Sequence, residues 1–212
     1  MNYSRTLINA ILAGIFIGIA GTVYLSIPQP VTGALFFGFG LLTIINFKFK
    51  LFTGAIGYFA TVTRATLVSR IIELIIIWAG NVAGCYLVGT LIRNSRSFAA
   101  ISARVANICA IKNADSPASW LILSFFCGIL MYTAVETSGR QQLAPVYRVA
   151  AVFLCVAVFI LSGFEHCIAN MYYYTAAGAW NSTAFAAIAV MTLGNTLGGL
   201  LLPVCGHLQK AE

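Results

Sequence analysis

His166 lies in the run Gly163-Phe164-Glu165-His166-Cys167-Ile168-Ala169-Asn170, between two strongly apolar stretches, while the second histidine, His207, sits near the C-terminal edge. An imidazole titrates near neutrality and exchanges protons readily. An ionisable group isolated in apolar chain is costly to hold there and is a functional candidate by default. Glu165 is adjacent, and neighbouring side chains point in different directions, so it reads as a helix cap or as the partner of a buried cation. A second polar interruption, Phe47-Lys48-Phe49-Lys50-Leu51-Phe52-Thr53-Gly54, brings two ammonium groups and a hydroxyl into another apolar run. Lys48 and Lys50 fit two roles equally well: snorkelling to an interface, or a structural and electrostatic role in the break. Glu73 and Glu136 lie three residues after Arg70 and four before Arg140, the spacings of ion pairs on a helix surface. Tyr172 to Tyr174 read as an interfacial belt or as packing beyond the interruption.

The elements that carry these groups follow from composition. The chain has 212 residues, of which 60% are hydrophobic and 8% charged, against roughly 25% charged in a typical soluble domain. A spanning helix takes about 20 apolar residues, and six segments of that kind fit: Leu7–Ile27, Val31–Thr63, Ile71–Ile92, Trp120–Val135, Pro145–Ala179 and Thr183–Cys205. The chain is therefore expected to be an all-α membrane protein, a single domain within the bilayer, and not an enzyme with a soluble catalytic unit. Its net charge of +7 belongs to topology signals in loops, not to nucleic-acid binding, since no Lys/Arg cluster suits a phosphate backbone. Arg5, Arg64, Arg70, Arg140, Arg148 and Lys210 on one side outnumber Arg93, Arg96, Arg104 and Lys112 in the long third loop, Arg93–Ser119. That bias puts both termini in the cytoplasm. The six cysteines have no CxxC spacing and predict no metal or disulfide framework, and no cleavable signal sequence is evident.

The second and fifth segments are too long for simple crossings, and the two polar interruptions fall in their middles. Each half of the chain, about 1–93 and 119–206, then ends on a Gly-Asn-x-x-Gly motif, Gly80-Asn81 and Gly194-Asn195. Thr53 precedes Asn81 by 28 residues and His166 precedes Asn195 by 29. Matched breaks in two three-helix halves of opposite topology predict an inverted repeat with a substrate path between the breaks. Irregular backbone at membrane depth survives only where it is buried in protein or lines a cavity. Asn81 reads as a hydrogen-bonding contact between helices, and Asn195 as a group lining the path.

Leu51-Phe52-Thr53, Gly163 to Met171 and Gly194-Asn195-x-x-Gly198-Gly199 resemble the formate/nitrite transporter family, over nearly the whole chain. The resemblance implies an aquaporin-like fold of six helices, the second and fifth broken, assembled as a homopentamer with one pore per protomer in a bacterial inner membrane. It implies transport of small monovalent anions such as formate, nitrite, hydrosulfide or lactate, with no cofactor. By the same resemblance His166 is the central pore histidine and Thr53 its polar neighbour. Leu41 and Phe159 form a constriction, Leu51, Phe52 and Phe37 add apolar lining, and Asn195 is the asparagine of the last span. Two positions depart from the family. Tyr132 follows Gly128-Ile129-Leu130-Met131 where many members have asparagine, and the lysine expected five residues before Leu121 is replaced by Ser116, with Lys112 the nearest.

An anion crossing a dry constriction faces a Born cost of tens of kcal/mol, whereas protonating a carboxylate of pKa about 4 at pH 7 costs about 4 kcal/mol. The expected mechanism has Lys112 and the third-loop cations draw an anion inward, and a proton accompany it past His166. The alternative is a channel for small neutral solutes. Aquaporins carry Asn-Pro-Ala at both half-helix junctions, however, and here Phe52-Thr53-Gly54 and Glu165-His166-Cys167 stand there.

Overall fold

A computed structural model describes residues 2–208; Lys210, counted above in the charge balance, lies outside them. Every regular element among the described residues is a helix. Helix α1 (Tyr3–Ser26) is followed by α2 (Pro30–Asn46), the four-residue α3 (Phe52–Ala55), two 3-10 turns (Ile56–Thr61 and Arg64–Thr66) and α4 (Leu67–Arg93). Then come α5 (Phe98–Ala114), α6 (Pro117–Gly139), α7 (Pro145–Leu161), α8 (Cys167–Ala177) and α9 (Ser182–Leu208). Prolines open α2, α6 and α7, where a missing N–H is harmless and φ is already helical. Among the described residues α1, α4, α6 and α9 are long and apolar enough to cross a membrane, while α2 and α7, at 17 residues, are shorter. The overlong second and fifth segments are thus each cut into helices, at the places the polar runs mark.

Two helix pairs form the frame. α1 lies against α4 and α6 against α9, and glycines set both distances. A Cβ on Gly14 would collide with the backbone of Asn81, and one on Gly84 with that of Ile11. On the other pair, Gly128 abuts the backbone of Asn195 and Gly198 that of Phe125. Small residues permit this close approach of membrane helices, so both Gly-Asn-x-x-Gly motifs serve as contact surfaces. α2 packs on α1 and α7, and α8 sits against α4 in the interior, buried along nearly its whole length.

The third loop differs from the reading above. It is mostly helix: α5 packs on α8 through Ile101, Val105 and Cys109. Arg104 Nη1 donates to the carbonyls of Tyr24 (2.9 Å), Leu25 (3.4 Å) and Ile27, and its guanidinium lies 4.4 Å over the Tyr24 ring. It therefore closes the C-terminal end of α1, where carbonyls lack intrahelical partners, and does not face outward. Tyr172, Tyr173 and Tyr174 are buried. Tyr172 Oη meets Thr22 Oγ1 at 2.6 Å, and Tyr174 Oη donates to Asn113 at 3.0 Å, so the second of their two readings holds.

Candidate functional site

Both chain breaks are held by the same set of hydrogen bonds. In the first, the Phe49 N–H donates to the carbonyl of Ile44 (2.9 Å) and the Lys50 N–H to that of Asn9 (3.2 Å). Asn81 Oδ1 accepts from the Phe52 N–H that opens α3 (2.9 Å), and its Nδ2 donates to the carbonyls of Ala10 and Lys50, both at 2.8 Å. In the second, the Phe164 N–H donates to Phe159 (2.9 Å) and the Glu165 N–H to Leu123 (3.3 Å). Asn195 Oδ1 accepts from the Cys167 N–H that opens α8 (2.9 Å), and its Nδ2 donates to Ser124 (2.7 Å) and Glu165 (2.9 Å). Each residue has no exposed surface, and each amide is fully used on backbone. The polar atoms of Asn195, expected to line the path, are thus all engaged with backbone. Asn195 does what Asn81 does: it satisfies backbone groups that would cost several kcal/mol each if left unpaired in a low-dielectric interior.

The breaks bring His166 and Thr53 together. Thr53 Oγ1 and His166 Nε2 are 2.9 Å apart, and Nδ1 of the same ring accepts the Ala169 N–H at 3.0 Å. A backbone N–H only donates, so Nδ1 carries the lone pair and the neutral ring has its proton on Nε2, directed at the threonine oxygen. His166 thus caps α8 with one nitrogen and presents a donor with the other. It is 2% exposed and Thr53 is fully enclosed. On one side the Phe159 ring lies 5.8 Å from the imidazole, tilted 31°, and Phe37 meets Phe159 edge-on at 5.8 Å and 87°. Leu41, on α2, is likewise buried.

On the other side the first break opens into a cavity of about 540 Å³, with Leu51 in its wall and Lys48, Lys50, Arg70 and Glu73 around it. Arg70 Nη1 donates to Glu73 Oε2 at 2.6 Å, as their spacing predicts, and Lys50 Nζ approaches Glu73 Oε1 at 3.8 Å. Glu73 is buried, so this is not a surface pairing: it is a carboxylate shared by two cations. Glu136 and Arg140 do pair near the surface, at 3.5 Å.

The remaining predicted residues lie elsewhere. Glu165 forms an ion pair with Lys112, the two side chains 6% and 13% exposed, and it accepts from Asn170 Nδ2 at 2.7 Å. Lys112 is therefore tied into the protein by that carboxylate instead of standing open as a collector of anions. Phe52 faces a separate apolar groove shared with Trp78 and Ile75. Tyr132 packs against Gly57, in the 3-10 turn that follows α3, and meets Tyr58 edge-on at 6.0 Å. The caps made by Asn81 and Asn195 and the role of Arg104 were missed in the sequence. For the asparagines the signal was present in their matched spacing from the breaks.

A family model described as formate/nitrite transporter matches residues 1–208. The chain belongs to the formate/nitrite transporter family. It is 25% identical to the nitrite transporter NirC of Salmonella typhimurium (strain LT2), over 94% of this chain and 81% of that protein. It is 27% identical to the formate channel FocB of Escherichia coli (strain K12), over 77% of this chain and 63% of that protein. A solved structure described as a pentameric formate channel with formate bound superimposes with a TM-score of 0.82 at 23% identity, covering 99% of this chain and 98% of that one. A second, described as an FNT family ion channel, gives 0.82 at 21% identity, covering 99% and 91%. These likenesses establish the fold, and with the apolar helices and the family they make the chain an integral membrane protein.

Proposed function

We propose that this protein carries small monovalent anions, formate or nitrite and by extension hydrosulfide, across a bacterial inner membrane, along a path that runs between the two breaks. The observation that carries this reading is the 2.9 Å contact between Thr53 and His166, two polar groups from separate breaks meeting in otherwise apolar surroundings. Four continuous helices and two broken ones make six crossings, the halves forming an inverted repeat with both termini cytoplasmic. Five copies assemble, one path each, by analogy with the pentameric channel whose fold this chain shares.

The mechanism is one of neutral donors. An anion arriving from the cavity beside Leu51 meets the Nε2–H of His166 and the hydroxyl of Thr53, which exchange their mutual hydrogen bond for bonds to its oxygens. Beyond them Phe159 and Phe37 form an apolar wall. A bare charge would need tens of kcal/mol to pass it, whereas a carboxylate of pKa about 4 needs about 4 kcal/mol to take up a proton at pH 7, so the solute crosses in its neutral form. Charging His166 requires a proton on Nδ1, and that breaks the cap on α8. The ring therefore serves as a hydrogen-bond donor, and the proton comes with the solute from water. A collector role for Lys112 is not retained, since Glu165 holds it.

The test is flux into proteoliposomes of formate, nitrite, hydrosulfide, acetate and lactate, beside swelling in glycerol. Formate or nitrite flux that rises as pH falls, and that drops sharply in His166→Phe, is the expected result. Equal flux and equal pH profiles in the two proteins remove His166 from the mechanism, and glycerol permeation without anion flux replaces the reading with a neutral-solute channel.

A further inference from the structure

The two breaks share a backbone but not a charge, and the difference is concentrated at two positions. Lys48 and Gly163 both have positive φ, at 56° and 68°. Each is followed by the residue whose N–H bonds back to the preceding helix, Phe49 to Ile44 and Phe164 to Phe159, both at 2.9 Å. Glycine suits this conformation, whereas a side chain with a Cβ is strained in it. The second break has the glycine and the first does not. Two residues later the contrast recurs: Lys50 and Glu165 each offer a carbonyl to the asparagine clamp, but one bears a cation and the other a carboxylate. Glu165 is matched by Lys112 in a tight buried pair. Lys50 is held only at 3.8 Å by a carboxylate already engaged with Arg70, and its side chain is 44% exposed. Lys48 is exposed and has no ion-pair partner among the described residues.

All three cations line the cavity of about 540 Å³ against the single carboxylate Glu73. At the matching position of the other break, Glu165 is offset by Lys112. The first break thus carries lysine at a strained backbone position where its counterpart has glycine, and that lysine lines the cavity mouth.

We propose that Lys48 and Lys50 form an anion-binding site at this one end of the path, where a small monoanion is held before it reaches Leu51, with Lys50 turning from Glu73 to the anion. The site rests on the transport reading above and adds an asymmetry: it raises apparent affinity from the cavity face alone and makes that face salt-dependent, since charges in an open cavity are screened by electrolyte.

The experiment measures the half-saturating formate concentration from each face, in right-side-out and inside-out vesicles, at about 10 mM and about 500 mM ionic strength, where screening lengths differ several-fold. Lys48→Gly relieves the backbone and should fold at least as well. At low ionic strength it should raise half-saturation from the cavity face about threefold, the Boltzmann factor for one unit charge at roughly 6 Å in water, with no change from the opposite face. Lys50→Gln should act in the same direction, and Lys48→Arg should restore the parent value. Half-saturation unchanged in Lys48→Gly, or raised equally from both faces, overturns the site while leaving the transport reading intact. Absence of anion flux in the unmodified protein overturns both.

Discussion

Replacing Asn195 with alanine tests whether the asparagine clamps organise the breaks or line the path. The substitution removes three hydrogen bonds at once and leaves the Cys167 N–H and the Glu165 carbonyl without a partner, while the Ser124 carbonyl, inside α6, is left with its helical bond alone. A buried group left unsatisfied costs about 1–3 kcal/mol. Interhelical bonds within membranes measure at the lower end, about 0.6 kcal/mol on average and up to about 1.7. Three such losses, partly relaxed by the small vacated volume, give a destabilisation of about 2–5 kcal/mol. Asn81→Ala should cost the same within about 1 kcal/mol, since it strands the Phe52 N–H and the Lys50 carbonyl and takes the second bond from the helical carbonyl of Ala10 in the same way. The assay is unfolding of each purified variant in mild detergent, followed by tryptophan fluorescence against denaturant, with flux measured on the fraction that remains folded. The clamp account expects a similar loss of stability in both variants. If Asn195→Ala unfolds with the parent's midpoint yet changes which anions pass, while Asn81→Ala only destabilises, then Asn195 does line the path and the equivalence is refuted.

Other perturbations separate the remaining groups. Thr53→Val keeps the volume and removes the oxygen 2.9 Å from His166 Nε2; loss of one hydrogen bond to a charged or polarised solute, about 1.5 kcal/mol, should lower formate flux roughly tenfold, with Thr53→Ser close to the parent in the same liposome assay. Glu165→Gln leaves the mostly buried ammonium of Lys112 unpaired and should cost about 3 kcal/mol or more, whereas the double variant Lys112→Met/Glu165→Gln should recover much of that in thermal unfolding. Lys48→Gly removes a side chain from positive φ and should stabilise the protein by about 0.5–1 kcal/mol, seen as a raised denaturation midpoint.

Much of this arrangement was legible in the sequence because membrane physics makes exceptions conspicuous. Lysine, glutamate and histidine in the middle of an apolar run have few explanations, and both breaks fall where those residues stand, at Phe47 to Leu51 and Ser162 to His166. The pairing of Glu165 with a buried cation followed from the same reasoning, although the identity of the cation did not. What escaped notice lay where polar sequence hides amphipathic structure. α5 carries Arg104 and Lys112 and reads as a charged loop, yet Ile101, Val105 and Cys109 recur every four residues and are its buried stripe, a periodicity that identifies a helix. For Tyr132, departure from a family pattern marks a position without fixing its neighbours: the ring sits beside Gly57, a contact the sequence did not indicate.

The comparison of the breaks separates what holds them in shape from what would give the proposed path its chemistry. The scaffold is duplicated: the same backbone bonds, the same asparagine amide, the same left-handed position. In the proposed path, chemistry enters at polar atoms that this task leaves over, as Nε2 of His166 is left over by the cap its Nδ1 makes. Leu51 and His166 occupy matching places, each capping position before its half-helix, and one is a hydrocarbon while the other is the donor facing Thr53. The positive charge divides by the same logic. Arg104 and Lys112 are consumed by carbonyls and by Glu165, and cations so engaged exert little field on a passing solute. Lys48, Lys50 and Arg70 face open volume with one carboxylate among them, so their surplus acts on whatever enters it. A net charge spread through loops would serve orientation alone. Concentrated at one mouth, beside a break that has lysine where its counterpart has glycine, it would also give direction to the capture of an anion, as proposed above.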